Sequence, residues 1–140
     1  MTEKSLPVAV DAMGGDHAPD QIVEGARLAK ESGIPIVLFG TEQALDGIRD
    51  IETIYVSEVV EMDEDPGRAV RRKKDSSLIR AAEYVRDGHS AAMVSAGNTG
   101  ATMASALLRM GRLKGVARPA ISTPFPTLEG DHPVILLDSG

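Results

Sequence analysis

Two rhythms of apolar residues alternate along this chain. Short apolar runs at 6–10, 36–39, 54–56, 91–94, 120–123 and 134–137 are separated by stretches in which apolar residues recur every three or four positions. The short runs predict strands and the spaced stretches predict helices. In the first spaced stretch Ile22, Val23, Ala26 and Ala29 share one face, Pro19 suits the first turn and Gly33 lies just past the end. A helix is therefore expected from Pro19 to about Glu31. Thr41 is placed to cap a second helix over 42–49. Either Ser76 or Ser77 is placed to cap a third, with Leu78, Ala81, Ala82 and Val85 on its apolar face and Gly88 at its end. A fourth, over 99–110, carries Met103, Ala106, Leu107 and Met110 at i, i+3, i+4, i+7 spacing, which reads as a core or helix-packing face. Residues 57–77 are polar, acidic toward Pro66 and basic over 71–74, and no regular element is assigned there.

Strands alternating with helices at short spacing indicate an α/β fold with a mainly parallel sheet. Functional loops of such sheets lie beyond the carboxyl ends of the strands. Three stretches hold that position: 11–17, 95–99 and 138–140. One topology places all three, so they are expected to line one cleft. The chain stops at such a loop with no helix after its last strand, which reads as the N-terminal portion of a longer protein.

Composition narrows the function. The chain has 140 residues, enough for one domain with a real core, and no cysteine, so it holds no thiolate nucleophile or thiolate metal site. Fifteen Lys and Arg against twenty-one Asp and Glu leave a net charge of −6, which argues against generic nucleic-acid binding. No run is long enough to span a bilayer, and the first residues lack the apolar stretch of a secretory signal. A cytoplasmic protein is the simplest reading.

The candidate chemistry concentrates in the glycine-containing loops. Gly97, Asn98, Thr99 and Gly100 follow a strand and open a helix, whose first-turn N–H groups carry partial positive charge and attract an anion. Asn98 and Thr99 are good helix caps in their own right, and their side chains can also bond an oxyanion. Gly14 and Gly15 permit an unusual turn after the first strand. Neither loop is a P-loop or a dinucleotide fingerprint. Asp16 and His17 lack metal-ligand spacing; as alternatives they are solvated turn residues, or His17 donates a hydrogen bond or proton near neutral pH. Ser95 has no clear triad partner and is not assigned as a nucleophile. Of the cations at 71–74, one or two are expected to turn toward the cleft while the others face solvent or an acidic partner.

Five segments in order resemble the phosphate acyltransferase (PlsX) family of bacterial phospholipid synthesis. They are residues 11–16 through Pro19, Pro66 with 71–77, 95–101, Arg118-Pro119-Ala120, and Asp138 with Gly140. Together they span this chain but only about the first half of a family member. The resemblance implies a three-layer α/β/α fold like that of phosphate acetyltransferases and the isocitrate/isopropylmalate dehydrogenase group. It implies transfer of an acyl group from acyl-acyl carrier protein to inorganic phosphate, giving acyl phosphate for a membrane glycerol-3-phosphate acyltransferase. It further implies a homodimer peripherally associated with membrane, and no cofactor or metal.

Phosphate is then the nucleophile, and the protein must hold it against a thioester and stabilise developing charge. On this reading Gly97, Asn98, Thr99 and Gly100 form the main cradle, with Gly14, Gly15 and Ser95 beside it. Lys74 or Arg72 neutralises charge. His17 and Asp16 are candidates to orient phosphate or protonate the departing thiolate. No apolar groove for the acyl chain is evident from the sequence. An exposed apolar patch is expected where a second half would dock. Two other readings are a nicotinamide-dependent decarboxylating dehydrogenase on the related architecture, which requires a carboxylate metal cluster, and a non-catalytic fragment that binds phosphate or carrier protein.

Overall fold

The computed structural model describes residues 5–128, 130 and 132–137. Four parallel strands form one sheet: β1 (Val8–Asp11), β2 (Ile36–Thr41), β3 (Glu52–Val56) and β4 (Ala92–Val94), in the order β3-β2-β1-β4. Val10 pairs with Leu38, and Ala9 with Val37. Successive side chains of a strand point to opposite faces, and the core divides accordingly. Val10 and Leu38 pack on one side with Val23 and Ala26 of helix α1 (Asp20–Glu31). Ala9, Val37 and Phe39 pack on the other with Ala81 of helix α4 (Ser77–Arg86). The result is the expected three-layer α/β/α arrangement.

Helix α2 is shorter than its pattern suggests. Thr41 caps it, accepting from the Ala44 N–H at 3.3 Å, but it spans only Glu42–Leu45. Gly47 then turns the chain with φ +83°, and Ile51 enters the core directly. Helix α3 (Pro66–Arg72) falls in the segment left unassigned from sequence. Its apolar contribution is small, Ala69 and Val70, so charge hides the periodicity. Its start signal was nonetheless present: Asp65 accepts from the Arg68 N–H at 2.8 Å, and Pro66 opens the helix.

Helix α4 corrects a second expectation. Ser76 occupies the cap position, yet neither it nor Ser77 caps through its side chain. The Ser76 hydroxyl is fully buried and has no hydrogen-bond partner among the described residues. Burying a hydroxyl unpaired is unfavourable, so Ser76→Ala is expected to stabilise the protein by about 1 kcal/mol. A rise in the urea midpoint would show this; a fall would mean that the hydroxyl has a partner.

The last two strands depart most from the sequence reading. β5 (Ser122–Phe125) and β6 (Val134–Leu137) form a separate antiparallel pair and do not extend the parallel sheet. The residues between them are too few for a parallel crossover, which needs roughly a dozen. The third loop assigned to the common cleft, 138–140, lies outside the described residues. All four side chains of β6 are exposed, at 47–63%. Ala92 and Val94 of edge strand β4 are exposed as well. No helix among the described residues is long and apolar enough to cross a membrane.

Candidate functional site

Parallel pairing of β1 with β4 brings the loops after these strands together. Asp11, the last residue of β1, is 3% exposed and bonds both loops. Its Oδ1 accepts from the Met13 N–H at 3.1 Å, and its Oδ2 accepts from the Ser95 hydroxyl at 2.8 Å. Ser95 Oγ in turn accepts from the Gly97 N–H at 3.1 Å. A carboxylate accepting from both turns gives them one geometry.

Gly14 sits inside this relay. A Cβ there would lie 2.6 Å from Asp11 Oδ2 and 2.8 Å from both Gly97 N and Ser95 Oγ. Gly15 has φ +113° and packs against Ala96. Gly14, Gly15, Ser95 and Gly97 are therefore one assembly. Asp11 has no role of its own among the sequence-based site residues; its place at the end of the first strand is the signal that points to it.

Asn98 begins helix α5 (Thr99–Ser105), which continues as a π-helical turn over Ala106–Met110. The side chain of Asn98 is committed to structure. Its Oδ1 caps α5, accepting from the Ala101 N–H at 3.0 Å. Its Nδ2 donates to the carbonyls of Met62 and Glu64, each at 3.0 Å. What remains for a ligand at this turn is the exposed Thr99 hydroxyl and the backbone: the N–H groups of Asn98, Thr99 and Gly100 have no acceptor among the described residues. They lie at the positive end of the helix. At Gly100 the backbone is closely covered, since a Cβ there would lie 2.7 Å from Pro66 Cγ. The acidic loop and the start of α3 are thus packed against the start of α5.

The cations divide, but not as expected. Lys73, which the sequence reading did not single out, turns inward to pair with Glu64 and to donate to the Val59 carbonyl. Arg72 and Lys74 are exposed, and no side-chain hydrogen bond or ion pair holds either among the described residues. Arg68, Arg71 and Arg72 line a shallow basic depression on α3. Asp16 and His17 are exposed on the turn after Gly15, with side chains unpaired among the described residues. No group of three acidic or histidine side chains gathers there as a metal-binding cluster, among the described residues.

Two carboxylates tune the frame around the site. The hydrogen bond from Lys73 holds Glu64 below the ordinary glutamate range, with the Glu61 N–H adding to it. The Ser57 hydroxyl, at 2.7 Å, holds Asp75 down, helped by the Ser57 N–H and the positive charge of Arg80. Folded values below unfolded ones mean a stabilising contribution that is complete above the unfolded pKa. It is lost as pH falls through the depressed folded values. Stability is expected to decline below about pH 4.5, the ordinary glutamate value. In urea titrations from neutral to acid pH, Glu64→Gln with Asp75→Asn should be less stable at neutrality and should show a shallower acid decline. An unchanged decline would assign acid sensitivity elsewhere.

Residues 6–140 match the family profile described as fatty acid synthesis protein. A phosphate acyltransferase of Anaeromyxobacter sp. (strain Fw109-5) is 50% identical over 152 aligned positions, covering 100% of this chain and 41% of the relative. A phosphate acyltransferase of Leuconostoc citreum (strain KM20) is 47% identical, covering 91% of this chain and 38% of the relative. One of Nostoc punctiforme is also 47% identical, covering 100% of this chain and 44% of the relative. The chain thus spans about two fifths of the length of these curated relatives.

Proposed function

We propose, for a chain that belongs to the fatty acid synthesis protein family, that the whole protein transfers an acyl group from an acyl-carrier-protein thioester to inorganic phosphate. The observation carrying this reading is the Asp11–Ser95–Gly97 relay, which closes the Gly14-Gly15 turn onto the turn that opens α5 and leaves three backbone N–H groups free. The relatives named phosphate acyltransferase supply the chemical class.

Phosphate sits against the N–H groups of Asn98, Thr99 and Gly100, with the Gly14-Gly15 turn as the facing wall. A phosphate oxygen attacks the thioester carbonyl carbon. The C–O bond forms, the C–S bond breaks, and the departing thiolate takes a proton. Neither a serine nor a cysteine nucleophile is required, which suits a Ser95 hydroxyl already engaged with Asp11. Arg72 and Lys74 are the cations available to offset phosphate charge. His17 and Asp16 have unengaged side chains on the turn beside the cradle and are assigned to orienting phosphate and protonating the thiolate. The basic depression of Arg68 and Arg71 suits an acidic carrier partner.

The described residues form the N-terminal α/β portion of this enzyme. The exposed β6 side chains and the edge of β4 are where a further segment of the longer protein packs, and a homodimer, a cytoplasmic peripheral place at the membrane and a membrane glycerol-3-phosphate acyltransferase that uses the product complete the reading. Full-length protein should release free carrier protein from its acyl thioester only when phosphate is present, forming acyl phosphate in equal amount. Release independent of phosphate, or none, would overturn this assignment.

A further inference from the structure

Met103, Ala106, Leu107 and Met110 form an apolar stripe that the sequence pattern assigns to the core or to helix packing. In the structure none of them is buried; Met103 is 38% exposed and the other three are half-buried. The stripe instead forms one wall of a cavity of about 490 Å³, whose other wall includes Val116 and Ile121. A second cavity shares Met103 and Leu107 with it. The lining is almost wholly apolar, and its volume falls within the range of roughly 300–1,000 Å³ usual for ligand sites.

Three observations separate this cavity from a surface awaiting the rest of a longer chain. Both walls come from one continuous piece of chain, helix then return strap, whereas β6 leaves all four residues uncovered. The lining includes Thr99, whose N–H is one of the three without an acceptor among the described residues, so groove and phosphate turn share that residue. The part of the helical wall at Ala106–Met110 is a π turn, a form common at functional sites, and Arg109 fixes it by pairing with Glu83 at 3.5 Å and donating to the Val70 carbonyl at 3.2 Å.

We infer that this groove holds the hydrocarbon tail of the acyl donor, with the reacting carbonyl at the Thr99 end and the chain running along α5 toward Met110. The inference rests on the acyl-transfer reading above and adds a place for the substrate's apolar part. From Thr99 to Met110 the helix rises roughly 16 Å, a wall that a long chain can follow and a short chain cannot fill. Methionines on it adapt to an irregular, flexible tail.

The test uses full-length protein with Leu107→Trp on the helix wall and Val116→Trp on the facing wall, the latter at a 45% exposed position that tolerates bulk. Each buried methylene strengthens binding by roughly fourfold, so displacing three or four should lower kcat/KM for a sixteen-carbon donor on the order of 10²-fold. A four-carbon donor and the KM for phosphate should be unchanged. Equal losses for both donors, or no loss, would overturn the groove; equal losses with a lowered Tm would identify the protein's own chain as its occupant. Binding of a fluorescent eighteen-carbon fatty acid gives a readout independent of turnover and should weaken at least tenfold in both variants. Unweakened binding would also overturn it. Absence of phosphate-dependent transfer in the unsubstituted protein would count against the acyl-transfer reading, while the fatty-acid measurement would still decide the groove.

Discussion

Gly14→Ala is expected to lower phosphate-dependent turnover by about 10- to 10²-fold while the protein still folds. The added methyl group would meet Asp11 Oδ2 at 2.6 Å, Gly97 N at 2.8 Å and Ser95 Oγ at 2.8 Å. None of the three is the loose end of a flexible side chain. Asp11 is held by Met13 and Ser95, and Ser95 is held by Asp11 and Gly97. Relief must therefore separate the two turns by several tenths of an ångström. A displacement near 1 Å at a positioned reactant can cost 10²-fold in rate. Gly25→Ala is the matched control. Gly25 lies within α1 with nothing within 4 Å of an added Cβ, and Ala there should stabilise the helix by about 0.5–1 kcal/mol without affecting turnover. Steady-state kinetics beside thermal unfolding separates the two. Equal activity in Gly14→Ala and the unsubstituted protein would mean that the turns do not need their close approach.

The second large effect is expected at Asn98, and it is mainly structural. Asn98→Ala removes the α5 cap, worth about 0.5–2 kcal/mol. It also leaves the Met62 and Glu64 carbonyls without their donor, at about 1 kcal/mol for each lost hydrogen bond. The sum is about 3 kcal/mol, visible as a fall in the urea midpoint. Turnover should fall with it, because the acidic loop and Pro66 then lose their tether to the turn that opens α5. Thr99→Ala should be mild by comparison, since the N–H of Thr99 is the group assigned to phosphate and survives substitution. If Asn98→Ala left stability intact and raised only the KM for phosphate, its side chain would be a ligand and the structural account would be wrong.

What was legible in the sequence follows from how strongly each signal is local. The short apolar runs at 6–10 and 36–39 announced strands, and Val23 with Ala26 announced a helix face by spacing, so the parallel sheet and its flanking helices were readable. The glycines at 14, 15 and 97 marked turns after strands, and a parallel sheet puts such turns along one edge. Other features depend on contacts that spacing cannot reveal. Asp11 and Ser95 are 84 residues apart and meet only because β1 and β4 pair. Lys73 turns inward instead of its neighbours because Glu64 and the Val59 carbonyl are in reach. The stripe from Met103 to Met110 has the period of a core face, and period does not tell a core from a groove. Helix α3 could have been found from Asp65 and Pro66, but two apolar residues were too few to draw attention to it.

The most direct test of the central claim is an amide titration of full-length protein with inorganic phosphate, followed by ¹⁵N-resolved NMR. The account predicts saturable shifts at the N–H resonances of Asn98, Thr99 and Gly100, with smaller ones at Gly14 and Gly15, all reporting one affinity and all lost in Gly14→Ala. Saturable shifts confined to other residues, with the 98–100 amides unmoved, would contradict it.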